Sequence, residues 1–197
     1  MVDKLDENYW SQRYLNEQTG WDIGQASPPI RHYVDQINQK SLSILIPGSG
    51  NAYEASYLYK KGFSKTFILD ISKLPLNRFK AQNPDFPENQ ILHHDFFTLN
   101  GSFDLIIEQT FFCALNPELR PQYVEKMLNL LKPGGKLVGL LFDDPLYQDH
   151  PPFGGNKQEY LSLFQSRFIV KTFEKCYNSI APRQGREFFM ILQKPKK

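Results

Sequence analysis

The sequence predicts an α/β protein: a doubly wound, mostly parallel seven-stranded sheet with an antiparallel final strand, preceded by a helical extension. Three observations predict it. Short apolar runs alternate with amphipathic stretches across residues 42–142, the rhythm of parallel strands joined by right-handed crossovers. The turn PGSG at 47–50 follows the first such run, where strand hands over to helix. Two runs near the C-terminus, FIVKTFEKC and EFFMILQK, lie close enough in sequence to pair antiparallel.

Each element has its own signal. Residues 4–16 read as a polar helix carrying Tyr9, Trp10 and Tyr14, and TGWDIGQASPP at 19–29 is a loop by its Gly and Pro content. A second helix is expected from Pro28 to about Gln39, with proline in its first turn. LSILI is a continuous apolar run, as in a strand buried on both faces. AYEASYLYKKG follows as an amphipathic helix ending at Gly62. TFILD is the second strand, followed by a helix after Ser72 that holds Pro75 in its first turn. QILHHD and FDLIIEQ are the third and fourth strands. PELRPQYVEKMLNLL is a helix stopped by KPGG, KLVGLLF the fifth strand, and NKQEYLSLF the last helix. No linker or repeat divides the chain. One domain is expected over 1–197, with 1–40 an N-terminal extension or lid and 41–197 the α/β core.

Composition narrows the function classes. Hydrophobic residues at 41% and charged residues at 22% are the balance of a globular domain with a substantial core. The net charge is +2 with signs intermixed, which gives no electrostatic footprint for nucleic acid or anionic lipid. The KPKK tail reads as a solvated end. Two cysteines, Cys113 and Cys176, make neither a disulfide framework nor a metal-ligand spacing, so a reducing, cytoplasmic setting is expected. MVDKLDENYW lacks the apolar region of a secretory leader, and no stretch approaches a membrane span. Asp143, Asp144, Asp149 and His150 could suggest a metal, but a solvated loop is the simpler account, and no metal is expected. His93 and His94 read as structural. The expected partner is a small molecule, and a monomer is favoured.

Ligands of open α/β sheets bind beyond the carboxyl ends of the strands, where PGSG sits. Gly48 and Gly50 permit close backbone approach, and the next helix offers free N–H groups. A tight turn without a ligand explains the glycines equally well, because short glycine motifs are weak evidence. The segment is not a Walker loop, and it lacks the third glycine of the dinucleotide fingerprint. Asp70 ends the second strand twenty positions after Gly50, where a carboxylate can accept ribose hydroxyls. It could also cap the following helix. Asp95 ends the third strand, and with Phe96 could bind an adenine amino group and cover its ring, or simply make a turn. Gly-x-Gly, Asp and Asp-Phe on three successive strand ends suit an adenosine ligand with a charged tail. Without a phosphate cradle, they favour S-adenosylmethionine over NAD.

Segments GWDIGQASPP, LIPGSGNAYEA, ILDIS, HHDFFT, FDLIIEQTFFCALNPELRPQYVEKMLNLLKPGGKL, HPPF and NSIAPRQGRE lie within residues 20–187, and the likeness they carry runs from about Trp10 to Glu187. Through them the chain resembles the thiopurine S-methyltransferase family, and within it the plant-type thiol and halide methyltransferases. The resemblance implies a class I methyltransferase (Rossmann-like) fold and S-adenosylmethionine as cofactor, with S-adenosylhomocysteine as product. It implies that Trp10, Tyr14 and Trp21 are aromatics around the cofactor, that Gly48 lies near its methionine portion, that Asp70 is the ribose acid, and that Asp95 and Phe96 contact adenine. The plant-type enzymes tend to carry aromatics at the positions of Tyr14 and Gln109. Tyr14 keeps that character, whereas Gln109 departs from it and would contact the cofactor through its amide or backbone. GSG stands where the family more usually has GCG.

Trp10 and Tyr14, four apart, share a helix face and either staple the extension down or form a lid near a sulfonium. Phe111, Phe112, Phe142, the HPPF loop and Arg183 are the candidate acceptor pocket. An aromatic, mostly apolar pocket suits in-line methyl transfer to a small soft nucleophile: a thiol, hydrosulfide, thiocyanate or halide. Such nucleophiles make a dedicated base optional, and no catalytic residue is assigned. Arg183 either attracts an anionic acceptor or lies on the surface. The other readings are a larger metabolite or a tellurite- or selenite-type acceptor on the same fold, and a non-catalytic binding protein that keeps it.

Overall fold

The computed structural model describes residues 4–196; Met1–Asp3 and Lys197 of the KPKK tail lie outside the described residues. Among the described residues nine strands and six α-helices follow one another, beginning with helix α1 (Glu7–Leu15). Asp6 caps it by accepting from the Tyr9 N–H at 3.1 Å. Helix α2 (Pro28–Asp35) starts on Pro28 and Pro29 and stops four residues short of the expected Gln39. Ile30 and Val34 already bury its apolar stripe, and beyond them only Ile37 is even half-buried, so further turns would cover nothing.

Strands β1 (Ile44–Pro47), β2 (Thr66–Asp70), β3 (Ile91–His93), β4 (Phe103–Gln109) and β5 (Leu131–Phe142) are parallel. Helices α3 (Tyr53–Lys60) and α4 (Lys73–Gln82) connect the first three strands, with Pro75 in the first turn of α4. Helix α5 (Arg120–Leu130) connects β4 to β5. It begins later than expected, because Pro121 can occupy only its first turn; the preceding Pro117–Leu119 form a 3-10 turn. KPGG lies inside β5, where its pairing with β4 shifts register.

The last strands are β8 (Ile169–Lys175) and β9 (Glu187–Gln193), preceded by helix α6 (Lys157–Phe164). The sheet order is β3-β2-β1-β4-β5-β9-β8. The final strand β9 is antiparallel to both neighbours, and it inserts between β5 and β8, one place in from the edge. A small hairpin of β6 (Asp144–Leu146) and β7 (Phe153–Gly155) was not anticipated, since three-residue strands leave no periodic signal. The carboxylates there are ion-paired: Asp143 with Lys175, and Asp144 with Arg186 at 2.7 Å. Among the described residues no group of three His, Cys, Asp or Glu side chains could hold a metal.

Two cores cover the two sheet faces. On one, Tyr123, Met127 and Leu130 of α5 and Phe164 of α6 pack on β4 and β9; on the other, α2, α3 and α4 bury Ile30, Leu58 and Phe79. The strand order reverses between β1 and β4, and a cleft opens outside the carboxyl ends of those strands. Among the described residues no helix is long and apolar enough to cross a membrane.

Candidate active site

The cleft has a volume of ≈ 960 Å³, near the upper end for small-molecule sites. Its floor is the β1–α3 turn. Gly48 and Gly50 both have positive φ, 56° and 52°. A Cβ on Gly48 would overlap the Phe111 ring, and one on Gly50 would stand 2.8 Å from the Tyr14 hydroxyl. These glycines therefore admit two side chains from distant elements, a sharper requirement than open space for a ligand.

Asp70 ties this turn to β2. One carboxylate oxygen accepts from the Gly50 N–H and the other from the Ser72 N–H, both at 2.8 Å. Burial pushes its pKa up to about 6 against these bonds. Asp70 lines the cleft, and it also braces the entry to α4. Asp95 lines the cleft, is exposed, and accepts from the Phe97 N–H at 2.8 Å. The Phe96 ring also borders the cleft but is packed into the core edge-on to Phe111, leaving Phe97 the more open of the pair. Of the two rings, Phe97 therefore presents the more open face.

The N-terminal segment forms the cleft's roof. Trp21 meets Trp10 edge-on at 5.6 Å and Tyr14 at 5.8 Å. Polar contacts pin the roof down. Ser11 bonds Ser72 at 2.9 Å, Glu7 pairs with His93 at 3.0 Å, and Arg78 donates to the Tyr14 carbonyl at 3.3 Å. Asp22 accepts from Asn51 and Tyr53, and the buried Glu54 accepts from the Ser27 N–H at 2.8 Å. Burial, with the Asp70 charge beside it, raises the Tyr14 hydroxyl above its ordinary pKa.

The tip of β4 makes the opposite wall. Gln109, Thr110, Phe111 and Cys113 line the cleft. Phe112 does not: it is 1% exposed and packs against Tyr123, Tyr160 and Phe164. The reason is a turn at Thr110, whose φ of 58° is unusual for a β-branched residue and points successive phenylalanines to opposite sides. Such a conformation costs about 1–3 kcal/mol and persists only where its surroundings enforce it. Glu108 sits beneath it, with no exposure at all. Sequence reasoning missed Glu108, although a carboxylate near the end of the otherwise apolar run FDLIIEQ is a visible signal. Phe142 and Arg183 line the far end. Arg183 is neither an open anion trap nor a surface residue. Only 8% exposed, it donates to the Trp21 carbonyl at 2.7 Å, lies 3.5 Å from Glu187 and covers the Phe142 ring. Burial pushes the Cys113 thiol up to about 12.

Among the described residues, three buried side-chain oxygens on the cleft's lining lack a partner: Ser49 Oγ, Asn51 Oδ1 and Gln109 Oε1. Buried polar atoms are nearly always satisfied, so these fit a ligand that brings complementary polar groups. Ammonium, carboxylate and hydroxyl groups on an adenosine scaffold match that donor and acceptor set. Together the fold and this cleft define a class I S-adenosylmethionine-dependent methyltransferase. A Burkholderia thailandensis 1,6-didemethyltoxoflavin-N1-methyltransferase with bound S-adenosylhomocysteine shares the fold. Its TM-score is 0.79 at 15% identity, over 96% of this chain and 87% of that one.

The model of the thiopurine S-methyltransferase family matches residues 5–191, and the chain belongs to that family. It is 32% identical to a probable thiol methyltransferase 2 of Arabidopsis thaliana, over 90% of this chain and 81% of the relative. It is 30% identical to thiocyanate methyltransferase 1 of Brassica oleracea, over 95% and 85% respectively.

Proposed function

We propose that this cleft transfers the methyl group of S-adenosylmethionine to a small soft nucleophile, a thiol, hydrosulfide, thiocyanate or halide. The observation that carries the reading is the pairing of unpartnered oxygens with aromatic walls in one cleft. In this reading Gly48, Gly50, Ser49 and Asn51 hold the methionine tail, Asp70 the ribose, and Asp95 with Phe96 and its neighbour Phe97 the adenine. Trp10, Tyr14, Trp21 and Gln109 surround the sulfur. Bound there, the cofactor supplies a methyl already activated on a sulfonium. The chain then has to exclude water and aim the acceptor.

The roof of Trp10, Tyr14 and Trp21 serves the first need, and its ring faces favour a cation by about 0.5–2 kcal/mol. Phe111, Phe142 and the buried Arg183 serve the second, giving an apolar chamber bordered by a guanidinium that is shared with the Trp21 carbonyl and Glu187 and favours an anionic acceptor. The raised pKa of Cys113 keeps this cleft-lining thiol protonated, so it does not compete with the acceptor. Similarity to a probable thiol methyltransferase of Arabidopsis thaliana and a thiocyanate methyltransferase of Brassica oleracea supports a sulfur nucleophile. Residues 1–40 are proposed as the lid of a single domain over 1–197. The two free, buried cysteines accord with a cytoplasmic setting.

An acceptor screen with thiols, hydrosulfide, thiocyanate and iodide, read by headspace gas analysis, tests the substrate class. Methylated volatile products are expected. Turnover confined to a bulky oxygen or nitrogen acceptor would refute it.

A further inference from the structure

Glu108 does not face the cleft. It is the penultimate residue of β4, and its carboxylate reaches under the turn that follows. Oε1 accepts from the N–H groups of Phe111 at 2.8 Å and Phe112 at 3.0 Å, and Oε2 accepts from the Tyr123 hydroxyl of α5 at 2.5 Å. These bonds enclose Thr110, the residue forced to positive φ. Tyr123 is itself fully buried, so the carboxylate is anchored on the α5 side as firmly as on the turn.

A buried carboxylate is a costly way to fill a core, and a turn of ordinary dihedrals would need none. What this arrangement fixes is a pair of cleft residues. Gln109 precedes the strained position and leaves its Oε1 unpartnered; Phe111 follows it and seats its ring over Gly48. Relaxing Thr110 to negative φ would redirect both.

We propose that Glu108 is a positioning residue for methyl transfer: from beneath the cleft it holds the β4 tip in the backbone conformation that sets the Gln109 carboxamide beside the cofactor's sulfur and the Phe111 ring against the acceptor. This rests on the reading of the cleft given above. Glu108 touches neither ligand, and of the two residues it sets only Gln109 meets the cofactor, at the reacting sulfur, so its removal acts on turnover more than on cofactor affinity.

The test compares the full chain with Glu108→Gln, Glu108→Ala, Tyr123→Phe and Leu192→Ala. Leu192 is fully buried in β9, away from the cleft, and controls for lost stability. Amide exchange at Phe111 and Phe112, calorimetric affinity for S-adenosylhomocysteine, and kcat with the best acceptor of the screen are measured for each. For Glu108→Ala the expectation is loss of protection at those two amides and a fall of about a hundredfold in kcat, with affinity kept within about threefold. Glu108→Gln retains an oxygen for both N–H bonds and should recover kcat to within about fivefold of wild type. If Glu108→Ala does not fold, Tyr123→Phe still decides, with an expected loss of about tenfold in kcat. Turnover in Glu108→Ala or Tyr123→Phe no lower than in Leu192→Ala overturns the proposal, as does unchanged exchange at Phe111 and Phe112. Failure of the wild-type chain to bind S-adenosylhomocysteine would instead sink the reading of the cleft, whatever the exchange data report.

Discussion

The two ends of the cleft are built by different means. The end proposed to hold the cofactor is assembled from strand tips close to one another in the sheet: the PGSG turn after β1, Asp70 on β2, Asp95 after β3. The acceptor end is assembled from contacts across long sequence distances. Arg183 reaches the carbonyl of Trp21, Phe111 covers Gly48, and Glu108 is answered by Tyr123. Backbone topology and a carboxylate bonded to backbone position the first end; contacts across long sequence distances position the second. Substitutions should therefore separate them.

The largest effect is expected where the ends meet. Gly48→Ala drives a Cβ into the Phe111 ring at positive φ, and should destabilise the chain by about 3 kcal/mol in urea unfolding and abolish ligand binding. Retained stability would mean that the two ends are not mechanically joined there.

Asp70→Ala tests the cofactor end by itself. It strips an acceptor from the Gly50 and Ser72 N–H groups, and should weaken S-adenosylhomocysteine binding about a hundredfold by calorimetry. Arg183→Lys tests the other end. A lysine cannot hold the Trp21 carbonyl and cover Phe142 together, so KM for an anionic acceptor should rise about tenfold while cofactor affinity holds. Equal effects on both ligands would erase the distinction between the ends.

Legibility in the sequence follows the same division. The strands β1 to β5, the glycine turn and the strand-end acids each carry a local signature, so the fold and the cofactor end could be read. Phe111 and Phe112 are adjacent and alike, and only the unusual backbone at Thr110 decides which one meets the cleft. Arg183 could not be read as buried: Glu187 lies only four residues on, but the Trp21 carbonyl and the Phe142 ring that enclose it are 162 and 41 residues away in the chain. The β6–β7 hairpin was too short to show a period.

pH should reveal two of the buried acids, Asp70 and Glu108. Burial raises Asp70 to about 6 and Glu108 to about 7. A raised acid stabilises the fold fully below its unfolded pKa, and that contribution is lost as pH rises through the folded value. Melting temperature should therefore fall between pH 5 and pH 8, the Glu108 share vanishing in Glu108→Gln. Tyr123 and Cys113, which face Glu108, stay neutral over that range. Cofactor affinity should move the other way, weakening as pH drops below about 6 and Asp70 takes a proton. A melting temperature that climbs steadily to pH 8 would contradict the placement of these acids.

The smallest effect is expected at Ser49→Ala. Removing a buried, unpartnered hydroxyl should leave the free protein as stable or slightly more so, while S-adenosylhomocysteine affinity drops about fivefold. A loss of stability without a loss of affinity would remove Ser49 from the ligand's surroundings.

The most direct test uses the chain's own chromophores. Its two tryptophans, Trp10 and Trp21, both lie on the cleft's roof. Titration of the wild-type chain with S-adenosylhomocysteine, followed by intrinsic tryptophan fluorescence, should give a saturable change that Asp70→Ala shifts to about hundredfold higher concentration. Fluorescence that stays flat into the high micromolar range, or that responds identically in Asp70→Ala, would contradict the assignment of this cleft to the cofactor.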